Sequence, residues 1–152
     1  MTSFVTIGII WINHHAMIDR LRETDHAILT MNLLLLMSIG IIPFATELMA
    51  KYLREPHGES VAAAVYGGSF LVMSILFAAL NRLILIKKAE LHATEISLAR
   101  RRQLLARGVV GLIPYALATA LAFVSPYVTL AICAVVAAFY AHPIASGLEP
   151  EA

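Results

Sequence analysis

Charged side chains are scarce in this sequence: Asp, Glu, Lys and Arg make up 14% of its 152 residues. A soluble domain carries about 25%, so an ordinary water-exposed globule is excluded. Cysteine is scarcer still. The single Cys133 rules out an internal disulfide and any cysteine metal cluster, and in its apolar run it reads as a small core residue. No basic stretch and cleavage site follow Met1, so the pattern of a cleavable signal is lacking. A nucleotide loop, a nucleophile elbow and a pair of catalytic acids are all missing; Gly67-Gly68 lacks the surroundings of a phosphate loop. No catalytic residue, cofactor or nucleic-acid partner is therefore expected. Low-complexity segments and internal repeats are absent too.

What the sequence has is apolar length. Hydrophobic residues make up 60% of it, and mean hydropathy is +0.81. The runs are continuous, not alternating, and approach the roughly 20 residues that cross a bilayer as a helix. Backbone groups in lipid must be satisfied within helices or closed barrels. The expected fold is therefore all-α, an integral membrane bundle of five transmembrane helices within one domain, 1–146. The spans fall at about 2–18, 27–49, 61–86, 108–124 and 127–144, and a basic helical connector covers 87–107. Residues 147–152 form a tail, and Glu149-Pro150-Glu151-Ala152 reads like a purification tag.

The cationic residues orient these spans, because Lys and Arg collect in cytoplasmic loops. Arg20 and Arg22 lie in loop 19–26, and Lys51 and Arg54 in loop 50–60. The stretch 82–107 holds seven: Arg82, Lys87, Lys88, Arg100, Arg101, Arg102 and Arg107. A multi-pass protein of the cell membrane follows, with 82–107 and the C-terminus cytoplasmic and Met1 outside. A short first span behind an exterior terminus is an unusual start, and one further helix in front would return the terminus to the cytoplasm. Within the connector, Leu91, Leu98 and Leu105 recur every seven residues with Arg on the other faces. That stripe suits either a solvated helix continuing the third span or an interfacial helix on anionic lipid.

The first span ends in "WINHHAMIDR". On a helix Trp11, His14, His15 and Ile18 share one face, with Asn13 beside them. Three readings compete. A metal site would draw on His14, His15, Asp19, Asp25 and His26, but adjacent histidines point about 100° apart on a helix, and no HExxH pattern supports them. No metal is expected. The polar groups otherwise fix a neighbouring helix, at about 1 kcal/mol per contact, or line an ion or proton path. Asn32, near the start of the second span, is a cap or interface group, or joins the network of His14. Pro43 removes a backbone bond to Ile39 beside Gly40, so a kink is expected there. Ala63-x3-Gly67, Ala64-x3-Gly68, Ala116-x3-Ala120 and Ala134-x3-Ala138 allow close helix packing within or between subunits.

Three stretches, "IGIIWINHHAMIDRL", "LTMNLLLLMSIGIIPFAT" and "LAFVSPY", resemble the endolysosomal family of transmembrane potassium channels, and in particular its short bacterial homologues. The resemblance runs from Phe4 to about Ile144. It implies six helices, tetramers around a central pore, and a permeant potassium ion as the only small partner. The first helix of that family lines the pore with large apolar side chains and carries a Phe-Ser-Asp signature. Polar residues of the second and third helices buttress it; by motif these are Trp11, Asn13, His14 and Asn32. This sequence has no Phe-Ser-Asp, and its five spans match family helices two to six. Ala45 stands where the family often has a second Pro. Two functions follow: a potassium-selective channel with its pore at the centre of an oligomer, or a non-conducting membrane scaffold assembling through small-residue faces. On the first, the polar face around His14 and Asn13 is shaped for a helix that this sequence does not include.

Overall fold

Asp25 starts the second helix. Its carboxylate accepts the Ile28 backbone N–H at 2.9 Å, which satisfies one of the donors a helix start leaves open. The computed structural model describes residues 2–55, 57–92 and 96–141. Helix α1 is Thr2–Ile18, α2 His26–Tyr52, α3 Glu59–Arg82, α4 Leu98–Val110, α5 Leu112–Leu121 and α6 Pro126–Ala141. No strand occurs among the described residues. A single antiparallel bridge joins Leu21 to His92.

Three stretches are long and apolar enough to cross a membrane: His26–Tyr52, Glu59–Lys87 and Leu98–Leu121. Pro126–Ala141 is apolar but shorter, and α1 has 17 residues. Helix α3 is the centre of the bundle, packing against α2, α4, α5 and α6. Along α2 the buried positions are Ile28, Leu35, Ser38, Ile42, Ala45 and Met49. That is one stripe at helical period. The main core joins Leu35, Phe70, Met73, Leu80, Tyr115 and Cys133. Outward faces stay apolar, with Phe44, Leu117, Phe123 and Val135 exposed, as suits helices solvated by lipid.

Helices α3 and α5 approach closely at Gly67. A Cβ there would lie 3.2 Å from the backbone of Thr119. Ala63 and Gly67 are thus used inside the subunit. Thr129, fully buried, donates its hydroxyl to the Ala118 carbonyl at 2.8 Å and ties α6 to α5. At the turn before α3, Gly58 has φ of 96°, a conformation that favours glycine.

The connector departs from the expected single helix. The end of α3 widens into a π turn, Leu83–Lys87, followed by a 3₁₀ turn, Ala89–Leu91. The next helix begins at Leu98 and runs into the expected fourth span, broken only at Gly111. Leu91 and Leu98 therefore do not share a helix. Leu91 packs on the core from the 3₁₀ turn, whereas Leu98 is exposed and Leu104 is the buried residue of α4, so the seven-residue stripe is not one packed face. The physical reason is tertiary: Arg22 N–H bonds the Leu91 carbonyl at 2.9 Å, and His92 Nε2 bonds the Ile84 carbonyl at 3.0 Å. Both hold the chain in a turn. The expected end of the fifth span, 142–144, and the tail lie outside the described residues.

Candidate functional site

The polar end of α1 divides into three directions. His14 faces α2, where its Nε2 lies 2.5 Å from Asn32 Oδ1. An amide oxygen only accepts, so Nε2 carries the proton and donates. This is a direct bond between the first two helices, and both residues are half-buried. Trp11 faces outward, 60% exposed. Its ring stacks on His15 with centroids 5.1 Å apart and planes 5° from parallel. His15 in turn reaches Asp19 at 3.4 Å, so Trp11, His15 and Asp19 form an outer ridge at four-residue spacing.

Asn13 turns the third way. Its Nδ2 donates to the Ile9 carbonyl of its own helix at 2.9 Å, and it lines a cavity between α1 and the rest of the bundle. Of the four expected support residues, then, His14 and Asn32 meet and Trp11 and Asn13 stand apart. The hydrogen-bonding need of His14 is met within the chain. Among the described residues, no three His, Cys, Asp or Glu side chains converge as metal ligands would.

Pro43 sits exposed on α2, which continues through it to Tyr52. The Ile39 carbonyl loses its helical donor there. Nearby hydroxyls bind helix carbonyls in the same stretch: Ser38 to Leu35 at 2.7 Å and Thr46 to Ile42 at 2.8 Å.

The loop after α1 is fastened to the end of α3. Lys88 Nζ lies 2.6 Å from Asp25 Oδ2. The bond from Lys88, then that from the Ile28 N–H, holds the Asp25 carboxyl below the usual carboxylate range. The Lys88 ammonium is pushed up, first by the same bond. Arg20 lines the basic end of the cavity. Burial, then the charge of Arg100, pushes its guanidinium down.

That cavity, about 120 Å³, was not foreseen from the sequence. Its walls bring together α1, α3, α4, α5 and α6, with Arg20, Asn81, Arg107 and Tyr140 among the polar members. The available signal was Asn81, a lone amide at the end of an otherwise apolar third span.

Against known proteins, the family model described as the endosomal/lysosomal potassium channel TMEM175 matches residues 1–43. A potassium channel of Chamaesiphon minutus is 36% identical over 150 residues, covering 93% of this chain and 68% of that protein. The chain belongs to the TMEM175 family. A potassium channel of Streptomyces collinus is also 36% identical, over 92% of this chain and 68% of its own length. A crystal structure described as a lysosomal potassium-selective channel TMEM175 homolog, from Chamaesiphon minutus, superposes with a TM-score of 0.78 at 34% identity. It covers 92% of this chain and 69% of the crystallised one. The resemblance drawn from the sequence is thereby borne out, and the all-helical membrane fold is that of the TMEM175 channel. The 1–43 match encloses Trp11, Asn13, His14, Asn32 and, as its last residue, Pro43. TMEM175 proteins are ion channels, not enzymes.

Proposed function

We propose that this TMEM175-family chain takes part in potassium-selective conduction across the cell membrane, as a homo-oligomer with the pore at its centre. The observation that carries this reading is the 36% identity over 93% of the chain to a potassium channel, together with the shared fold. The assembly is a tetramer, the loop 82–107 and the C-terminus face the cytoplasm, and no cofactor is needed beyond the permeant ion. The His14–Asn32 bond sets the spacing of α1 and α2. The exposed Trp11 ridge points away from the chain's own helices and meets the element that surrounds the pore. Trp11, Asn13, His14 and Asn32 thus act as supports, not as ligands of the ion, and Pro43 bends α2 beside them.

The test is flux from liposomes holding the purified chain, under potassium and then sodium gradients. Potassium flux well above empty vesicles, and above sodium, is the expected result. Flux no greater than that of empty vesicles overturns conduction by this chain. A second reading then stands, that of a non-conducting scaffold. One observation favours it: Ala116, Ala120, Ala134 and Ala138 are exposed, leaving two small-residue faces for assembly.

A further inference from the structure

The cavity behind α1 has the chemistry of a binding site. Its volume of about 120 Å³ far exceeds the roughly 10–15 Å³ that a single water needs by the same measure. It is partly open and separates α1 from α3. One part of the wall is apolar, including Ile10, Met17, Met73 and Phe77. The polar part includes Arg20 and Arg107. None of the three ion pairs among the described residues involves either of them. Burial and the neighbouring Arg100 both disfavour the charge on Arg20, so an anion beside it would be stabilising.

A second, independent feature lies in the same wall. Asn81 is 6% exposed. Its Nδ2 makes one long bond, 3.4 Å, to the Leu104 carbonyl, and its Oδ1 is buried without a hydrogen-bond partner among the described residues. A buried carbonyl oxygen in that state is unfavourable; no room for a water adjoins it as it stands, and a donor reaches it when the Asn81 amide turns toward the cavity. Two cations, one unused acceptor and an apolar wall describe a ligand with a negative charge, a hydroxyl and a hydrocarbon part.

We propose that this cavity binds one anionic phospholipid with a hydroxylated headgroup, its phosphate between Arg20 and Arg107 and a headgroup hydroxyl donating to Asn81 Oδ1. The acyl chains leave along the apolar wall into the bilayer. Arginine suits a phosphodiester because its planar fork makes paired charge-assisted bonds. Arg20, Asn81 and Arg107 fix the headgroup, and the apolar wall excludes a free inorganic anion from full complementarity.

The experiment is native mass spectrometry of the full purified chain after incubation with phosphatidylglycerol, phosphatidic acid or phosphatidylcholine. Wild type is expected to retain phosphatidylglycerol about tenfold better than phosphatidylcholine, as two charge-assisted contacts allow. The double variant Arg20→Gln, Arg107→Gln is expected to lose that preference. Asn81→Leu is expected to erase the advantage of phosphatidylglycerol over phosphatidic acid, which lacks the headgroup hydroxyls. Ser74→Leu, which fills the cavity from α3 and leaves every charge in place, is expected to reduce phosphatidylglycerol retention as well. It carries the test if the double variant is not monodisperse. Equal retention of the lipids by wild type, or a preference that survives both the arginine and the Ser74 substitutions, overturns the proposal. Displacement of the lipid by an excess of inorganic phosphate also overturns it, by showing a plain anion site.

Discussion

Single side chains in this protein carry bonds between helices, and their removal has separable consequences. His14→Ala deletes the hydrogen bond from α1 to Asn32 of α2 and should lower stability by about 1 kcal/mol. His57→Ala, at an exposed loop position, should change the melting temperature little. Equal melting temperatures for the two variants in detergent would remove His14–Asn32 as a structural bond. Asp25 and Lys88 make a pH-dependent fastening. The folded carboxyl sits below its unfolded value, so its contribution is present above about pH 4 and is lost as pH falls through the depressed folded value. The folded ammonium sits above its unfolded value, so its contribution holds below about pH 10 and is lost as pH rises through the elevated one. Asp25→Asn keeps an acceptor for the Ile28 N–H and removes the charge. The gap in melting temperature between wild type and Asp25→Asn should be widest near neutral pH and close toward acid. A gap independent of pH would show that the ion pair does not act.

Elements meet through small residues, and these positions divide sharply by what a methyl group would strike. Gly67→Ala drives a Cβ to 3.2 Å from Thr119 backbone atoms, where neither helix can yield cheaply; a loss of about 1–3 kcal/mol is expected. Gly40→Ala meets nothing within 4 Å and should stabilise α2 by about 0.5–1 kcal/mol, so the two melts should move in opposite directions. Gly111→Ala collides with the Tyr140 hydroxyl, so Tyr140→Phe should recover part of that loss; no rescue would mean the α4–α5 junction itself demands glycine. Helices of this kind were legible in the sequence because apolar length and period survive any packing arrangement. The second and third spans, and the Trp-x-Asn-His-His block, could be read directly. The turn at 83–91 could not, because it depends on Arg22 and Asp25 meeting Leu91 and Lys88, remote in sequence. Proline at 43 leaves α2 continuous to Tyr52; a helix among helices tolerates one lost donor, and a bend there is compatible with that continuity. The polar site was half legible. His14 and Asn32 pair as the short loop between their helices suggested, whereas the cavity required five elements to be placed first.

At the scale of the molecule, the question is which apolar surface faces lipid and which faces another copy. Composition cannot decide this, since lipid and a neighbouring helix both accept exposed Leu, Phe and Val. The channel reading can. It turns α1 toward the centre of the assembly and leaves α5, which packs on α3 and α6, toward the bilayer. Trp11 and Leu117 are both exposed, at 60% and 53%, and so make a matched pair of probes. Cys133, the sole cysteine, is 3% exposed and can be changed to Ala to clear the background. In that background a short bismaleimide should link Trp11→Cys chains into dimers in liposomes and leave Leu117→Cys chains monomeric. The reverse pattern would place the α5 face, with Ala116 and Ala120, at the subunit contact. It would transfer support from a central pore to a scaffold joined through small residues. Because both residues lie on helices the chain itself packs, the outcome does not depend on conduction, and it separates how the subunits meet from what passes between them.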